Sequence, residues 1–477
     1  MSGRPEPGVG GRDARAVLAD AVATPYWLDR PDRPPRQAPL VGPTSADLVV
    51  VGGGYTGLWT ALLATEADPR REIVLIEADQ CGGAASGRNG GFASASLTHG
   101  LANGASRWPD EMDTLERLGQ DNLRALVDTV SRYGIDASVE RSGELDVAVA
   151  EWQVDGLAQL ARLAREHGHR VVDLDQDAVR AEVASPTYRA GVWLPDATVL
   201  VDPARLAWGL RRACLERGVR IYEQTPATRA ARAGTGVVVA TPYGSVHARQ
   251  AMLATNAFPS LLARARTLTV PVYDYVLATE PLPADVRAAM RWVHRQGVSD
   301  AGNQFHYYRL TDDDRLVWGG YDAVYHYGSR IGWELERRPE TFAMLAEHML
   351  DTFPMLAEAK VRVTHAWGGV IDTSTRFTSF TGAAWDGRVA YALGFTGLGV
   401  AATRFAAATA LDRLAGVRTE RTRLTMNRRP PVPFPPEPLR WAAVTATRWS
   451  LARADAHGGR RNLWLRTLDR VGLGFDS

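Results

Sequence analysis

The chain has 477 residues, enough to bury at least two hydrophobic cores. Its 55 Lys plus Arg against 54 Asp plus Glu leave a net charge of +1, which gives no general reason to expect nucleic acid or an anionic membrane as partner. Two cysteines, Cys81 and Cys214, make neither a disulfide framework nor a metal-ligand spacing. With no apolar signal segment at the N-terminus, the expected setting is the reducing cytoplasm.

Residues 1–45 are rich in proline, arginine and glycine and carry no periodic pattern, so an extended arm is expected there, anchored by Tyr26, Trp27 and Leu28. The β-branched run Leu48-Val49-Val50-Val51 then meets Gly52-x-Gly54-x-x-Gly57, and helical apolar spacing follows through Leu58, Ala61 and Leu62. In that strand, turn and helix, Gly52 allows the turn, Gly54 lets a pyrophosphate approach, and Gly57 lets helix and strand pack closely. Tyr55 and Thr56 sit between them at the helix N-terminus. The next strand, 72–76, ends in Glu77-Ala78, and an acid at that spacing accepts hydrogen bonds from ribose hydroxyls. A lone glycine triplet is weak evidence; with both strands, the helix and the acid in place, it predicts a dinucleotide site.

A second glycine-dense stretch follows: Gly83-Ala84-Ala85-Ser86-Gly87-Arg88-Asn89-Gly90-Gly91-Phe92. Its backbone freedom, hydroxyl, guanidinium and amide suit a loop running along a diphosphate and a polyol chain. The glycine turn, Glu77 and this loop together resemble the D-amino-acid oxidase and glycine oxidase superfamily of FAD-dependent oxidoreductases. The Pro25-Tyr26-Trp27-Leu28-Asp29 arm and the SGRNGG loop are most similar to γ-glutamylputrescine oxidase-like proteins, and the similarity runs from residue 24 to residue 425. The resemblance implies an α/β fold in which a Rossmann-like FAD-binding domain of the glutathione-reductase type is interleaved with an α+β substrate domain built on an antiparallel sheet. It implies FAD held by Gly52, Gly54, Tyr55, Thr56, Gly57, Glu77 and Ala78, and by Gly83, Ala84, Ser86, Gly87, Arg88, Asn89, Gly90, Gly91 and Phe92.

Helical spacing at 111–133 and 153–167, with Gly134 and Gly168 placed as C-caps, brackets a strand at 143–149. Another helix is expected at 202–217, a short strand at 219–222, a hairpin at 236–248 and a buried strand at 251–256. Strand-like runs at 270–278, 304–310, 315–320 and 361–370, with a helix at 340–352, predict an antiparallel sheet dense in aromatic residues. Each aromatic taken alone reads as core; together they make an aromatic-lined amine pocket the expectation. The expected organisation is an arm (1–45), an FAD-binding domain (46–100, 190–264 and 386–425), a substrate domain (101–189 and 265–385), and a linker with a helical tail (426–477).

Residues 389–400 return to strand, glycine turn and helix through Gly394-Phe395-Thr396-Gly397-Leu398-Gly399-Val400. The resemblance places this motif at the pyrimidine edge of the flavin, where a helix N-terminus stabilises negative charge. Leu398 stands where the family commonly has histidine. Arg404 and Asp412 interrupt the apolar stretch, so no membrane span is expected. Beyond a proline-rich connector, 439–469 is amphipathic and arginine-rich, expected to pack on the body or on a second subunit.

The activity implied is hydride transfer from the carbon beside a neutral amine to flavin N5, imine hydrolysis, and reoxidation by O2 to H2O2, with no metal called for. Amino-acid-oxidising relatives carry an arginine where this chain has Ile371, and sarcosine-type relatives a lysine where it has Ala401. Losing both anchors would remove charge-assisted bonds worth about 1.5–3 kcal/mol each, so an amine without a simple α-carboxylate, of the polyamine-derivative class, is expected. The pocket candidates are His306, Tyr308, Asp322, Trp367, Asp372 and Phe395; Asp322 and Asp372 are open between attracting a cationic tail and pairing with arginine. The stretch 316–320 has no lysine to assist oxygen, which keeps a dehydrogenase with another acceptor open, and an inactive flavin-binding subunit beside it. No residue matches the covalent attachment points of relatives, so FAD is expected to be non-covalent.

Overall fold

The structure, a computed structural model, describes residues 10–474. Two eight-stranded sheets dominate it. The first has six strands in the order Phe380–Ala384, Val389–Leu393, Gly244–Leu253, Gly42–Val51, Ile73–Ile76, Arg220–Tyr222, with Gly236–Ala240 and then Arg229–Ala233 branching from Gly244–Leu253. Its centre is parallel, with Val49 opposite both Val74 and Ala251, and Leu48 to Val51 are buried on both faces, as a near-continuous β-branched run requires. The helices Tyr55–Ala67, Pro203–Glu216 and Gly399–Leu414 pack on one face. The expected hairpin and returning strand share one ten-residue strand, Gly244–Leu253: it runs parallel to Gly42–Val51 over its whole length, and its first half also pairs antiparallel with Gly236–Ala240 on the other edge.

The second sheet runs Val363–Ser374, Thr269–Thr279, Leu316–Gly320, His306–Leu310, Gly297–Asp300, Glu144–Ala148, Ala190–Leu194, Val172–Leu174. Only Gly297–Asp300 and Glu144–Ala148 pair in parallel. Side chains alternate across it. Tyr307 meets the glycine loop, whereas His306 and Tyr308 face the helix Pro339–Thr352, whose Phe342, Leu345 and Met349 are buried against that side. A two-stranded ribbon, Phe92–Ser94 with Thr198–Leu200, lies where the chain crosses between sheets.

Three placements differ from the sequence reading. Ala190–Leu194, expected with the nucleotide unit, pairs with Glu144–Ala148 and Val172–Leu174 in the second sheet. Phe380–Ala384, expected with the substrate unit, forms a hairpin with Val389–Leu393 in the first. Both are five-residue strands whose partners local periodicity cannot reveal. The arm is not wholly extended: Gly10–Val17 is helical, and Ala14 and Val17 are buried in the cluster that includes Leu345 and Met349. Farther along the arm, Tyr26, Trp27 and Leu28 are buried beside Trp208 and Trp367. Among the described residues no helix is long and apolar enough to cross a membrane.

Candidate active site

At the first glycine turn, Gly52 has φ +109° and its N–H donates to Ile76 O at 2.9 Å. A methyl at Gly57 would overlap Gly52 O, so helix and strand reach this approach only with glycine there. Glu77 closes the floor: Gly53 N donates to its Oε2 at 2.6 Å and Asp79 N to its Oε1 at 3.0 Å. Each oxygen keeps a lone pair for a further donor. Burial raises the Glu77 pKa while these backbone donors oppose it. Ala78 is exposed at the rim. At the end of Gly244–Leu253, the side-chain oxygens of Thr255 and Asn256 are buried without a protein partner, and Ala254 O faces Gly52.

The second glycine loop is latched to the first helix, since Tyr55 N donates to Ser86 Oγ at 2.9 Å. Asn89 braces the loop from within: its Nδ2 donates to Ala85 O (2.9 Å) and Ser86 O (3.1 Å), and its Oδ1 accepts from Gly91 N at 2.8 Å. Arg88 donates from Nε to Gly83 O at 2.8 Å and pairs with Glu336 at 2.6 Å. The side chains expected to donate to a cofactor therefore have protein partners in this structure. Gly90 lies under the Tyr307 ring, leaving no room for a Cβ, and Phe92 meets the same ring edge-on at 5.9 Å.

The third element is the turn before Gly399–Leu414, where Gly394, Thr396 and Gly397 all have positive φ (+82°, +50° and +86°). Asp372 holds it from below, accepting from Phe395 N at 3.1 Å and from Gly394 N, while Thr396 N donates to Asp372 O at 2.9 Å. Full burial pushes the Asp372 carboxyl up to about 7. His99 Nε2 lies 3.1 Å from Thr396 O, bringing an imidazole to a motif whose own sequence has Leu398. Sequence reading did not single out His99, whose place beside the motif is set by the fold, where it and Gly100 both have positive φ.

These elements and the second sheet enclose a cavity of about 590 Å³. Arg88, Asn89, Thr396, Gly397, Leu398 and His99 line its nucleotide side, and Val272, Asp274, Tyr307, Tyr321, Gly369 and Ile371 its sheet side. Tyr307 Oη donates to Asp274 Oδ2 at 2.6 Å. Burial lifts the Asp274 pKa to about 6, against the lowering effect of that bond. Glu144 also reaches the wall, held by Thr198 (2.7 Å) and Ser299 (2.9 Å).

None of the six pocket candidates lines this cavity. His306 sits behind the sheet between Asp300 (2.6 Å) and His348 (3.0 Å), and Tyr308 donates to or accepts from Tyr188 at 2.7 Å in the core. Trp367 donates to Arg88 O at 2.9 Å and so supports the loop. Phe395 is buried in the core under the motif. Asp322 is bound by Arg338, Arg448 (3.0 Å) and Thr341 (2.6 Å). Strand parity decides most of this: the residues one position along, Tyr307 and Ile371, face the cavity instead.

The model of the family described as FAD dependent oxidoreductase (DAO) matches residues 47–413. The chain belongs to that family. This FAD-dependent oxidoreductase is 32% identical over 389 residues to gamma-glutamylputrescine oxidoreductase of Escherichia coli (strain K12), covering 78% of this chain and 84% of the relative. It is 26% identical to a probable oxidoreductase of Haemophilus influenzae, over 82% and 88% of the two chains. Glycine oxidase from Geobacillus kaustophilus shares the fold, with a TM-score of 0.63 at 18% identity over 79% of this chain and 96% of that one. The residues fit FAD. The glycine turn admits a backbone-close diphosphate, Glu77 has acceptor capacity for ribose hydroxyls, and the orphaned oxygens of Thr255 and Asn256 need donors that a polyhydroxylated dinucleotide carries.

Proposed function

We propose that this oxidoreductase oxidises the C–N bond of a primary or secondary amine lacking a simple α-carboxylate, with non-covalently held FAD and O2 as the final acceptor. FAD, when bound, supplies a hydride acceptor whose electrons pass on to oxygen. The glycine turn, Glu77 and the 83–92 loop would hold it, and the 394–400 turn before the helix N-terminus at Gly399 would favour negative charge on it. Asp274 carries the reading: it is a carboxylate on the cavity wall, fixed by Tyr307, with a pKa of about 6. Above that pH it accepts an amine N–H or takes the proton of an incoming ammonium, leaving the neutral amine that oxidation requires. Among the described residues on the wall no arginine is left for an α-carboxylate: Ile371 stands there, Arg88 is paired with Glu336, and Arg448 with Asp322. A relative named for an acylated diamine supports the same class.

Anaerobic mixing of the yellow protein with polyamines, acylated diamines, N-methyl amino acids and D-amino acids tests this. Rapid bleaching by amines without α-carboxylates is expected; faster bleaching by glycine or sarcosine refutes it. A second reading, a dehydrogenase with a non-oxygen acceptor, is favoured by one fact. The single lysine, Lys360, is exposed and does not line the cavity. Bleached flavin that recovers only slowly in air supports that reading.

A further inference from the structure

The family match ends at residue 413, yet the chain continues, and its last segment comes back over the cavity. Val432, Phe434, Val444, Leu451, Trp464 and Leu468 all line the same space as Asp274, Ile371 and Leu398. They come from the proline-rich connector and from two helices, Leu439–Asp455 and Leu463–Arg470.

The segment is fastened at several points on both sides of the cavity mouth. Phe434 N donates to Thr267 O at 2.7 Å, and Thr375 Oγ1 to Val432 O at 2.8 Å. Glu437 accepts from Gly328 N and from Trp441 N, both at 3.0 Å. Asp455 caps the 303–304 turn, accepting from Asn303 N (3.0 Å), Asn303 Nδ2 (2.6 Å) and Gln304 N (2.9 Å). The three polar tail side chains on the wall already have partners: Trp464 Nε1 donates to Thr447 Oγ1 at 2.9 Å, Thr447 Oγ1 donates to Ala443 O at 2.8 Å, and Arg448 is paired with Asp322.

We propose that this tail selects the substrate by forming the outer wall of the amine site, and that it admits amines whose remote part is uncharged. Alkyl, aryl and N-acylated chains meet apolar side chains there. A second ammonium meets no free side-chain acceptor among the described tail residues on the wall, and transfer of an unpaired charge onto such a wall is costly. The inference rests on the amine reading above and narrows it: the part of the substrate remote from the reacting nitrogen would carry no charge.

The test uses the full-length holoprotein and four probes, methylamine, n-hexylamine, N-acetyl-1,4-diaminobutane and free 1,4-diaminobutane, in anaerobic flavin reduction. The wild type is expected to prefer each uncharged-tail probe over the free diamine by about tenfold or more in rate constant over apparent Kd. L451D places a carboxylate on the wall and should shrink or reverse that preference. L468A should weaken hexylamine binding about tenfold while changing methylamine little. Retained FAD and a wild-type pattern of resistance to trypsin show that each variant is folded.

A wild type that favours the free diamine overturns the proposal, and so does an L451D or L468A effect equal for all probes. If no amine bleaches the flavin, the amine reading fails by itself, and the wall is still read by calorimetry with 1-hexanol. L451D should then weaken hexanol binding, and an unchanged affinity contradicts the proposal.

Discussion

Asp274 and Tyr307 show how a single register decides chemistry. They belong to Thr269–Thr279 and His306–Leu310, the two strands that flank Leu316–Gly320 in the second sheet; the Tyr307 ring crosses over Gly319, and its 2.6 Å hydrogen bond to Asp274 puts a carboxylate of raised pKa on the cavity wall. In the wild type the flavin reduction rate should rise with pH through an apparent pKa near 6, as Asp274 becomes ionised and able to accept a proton. The D274N variant should lose that limb and reduce flavin about 10²-fold more slowly, which stopped-flow traces across pH would show. A D274N profile with the wild-type limb would assign the titration elsewhere. At Gly57 the constraint is backbone against backbone, because a methyl would overlap Gly52 O. G57A should abolish FAD retention on gel filtration and lower apo-protein stability by about 2–4 kcal/mol. Residues of this kind are legible in sequence when the backbone itself makes the demand, as at Gly52 and Gly57. They are not legible when strand parity makes it. Sequence reading named His306 and Tyr308, and the fold turns Tyr307, between them, toward the cavity.

Among the elements, the 394–400 turn depends on Asp372, which burial raises to about 7. An unfolded aspartate titrates near 3.9, so between about pH 4 and pH 7 the folded chain binds the extra proton. This contribution to stability is fully present below that window and declines as pH rises through it. Comparing urea midpoints of apo-protein at pH 5 and pH 8 should show D372N losing a pH-dependent component of about 2–4 kcal/mol that the wild type has. An identical pH slope in both proteins would refute the assignment. The tail helices hang on Asp455, whose three accepted hydrogen bonds join them to the 303–304 turn. D455A should loosen the tail by about 2–3 kcal/mol, seen as faster tryptic cleavage within 439–474 with little change in the melting of the body. The sequence predicted the long helices to within a residue or two because their apolar spacing is sustained over many turns, as at Met112–Arg132 and Pro203–Glu216. The short strands Val172–Leu174 and Gly297–Asp300 escaped notice, since three or four residues carry too little periodicity.

For the whole molecule, the arrangement is two sheets meeting at one cavity, with glycine turns on one side and an aromatic, carboxylate-bearing wall on the other. The family was readable from residues 47–92 because a dinucleotide imposes fixed spacings on the backbone that holds it. The closing of the cavity by residues beyond 430 was not, because nothing local in an amphipathic helix says which surface it will cover. The account stands on FAD being held without a covalent bond and reduced by an amine. Acid precipitation of the yellow protein should leave the colour in the supernatant, with colour kept in the pellet pointing to covalent attachment. The most direct measurement is anaerobic titration of the holoprotein with N-acetyl-1,4-diaminobutane, followed at the oxidised-flavin absorbance band. The account predicts complete bleaching and release of one aldehyde per flavin; a protein that takes up no FAD, or whose flavin stays oxidised with every amine offered, would contradict it.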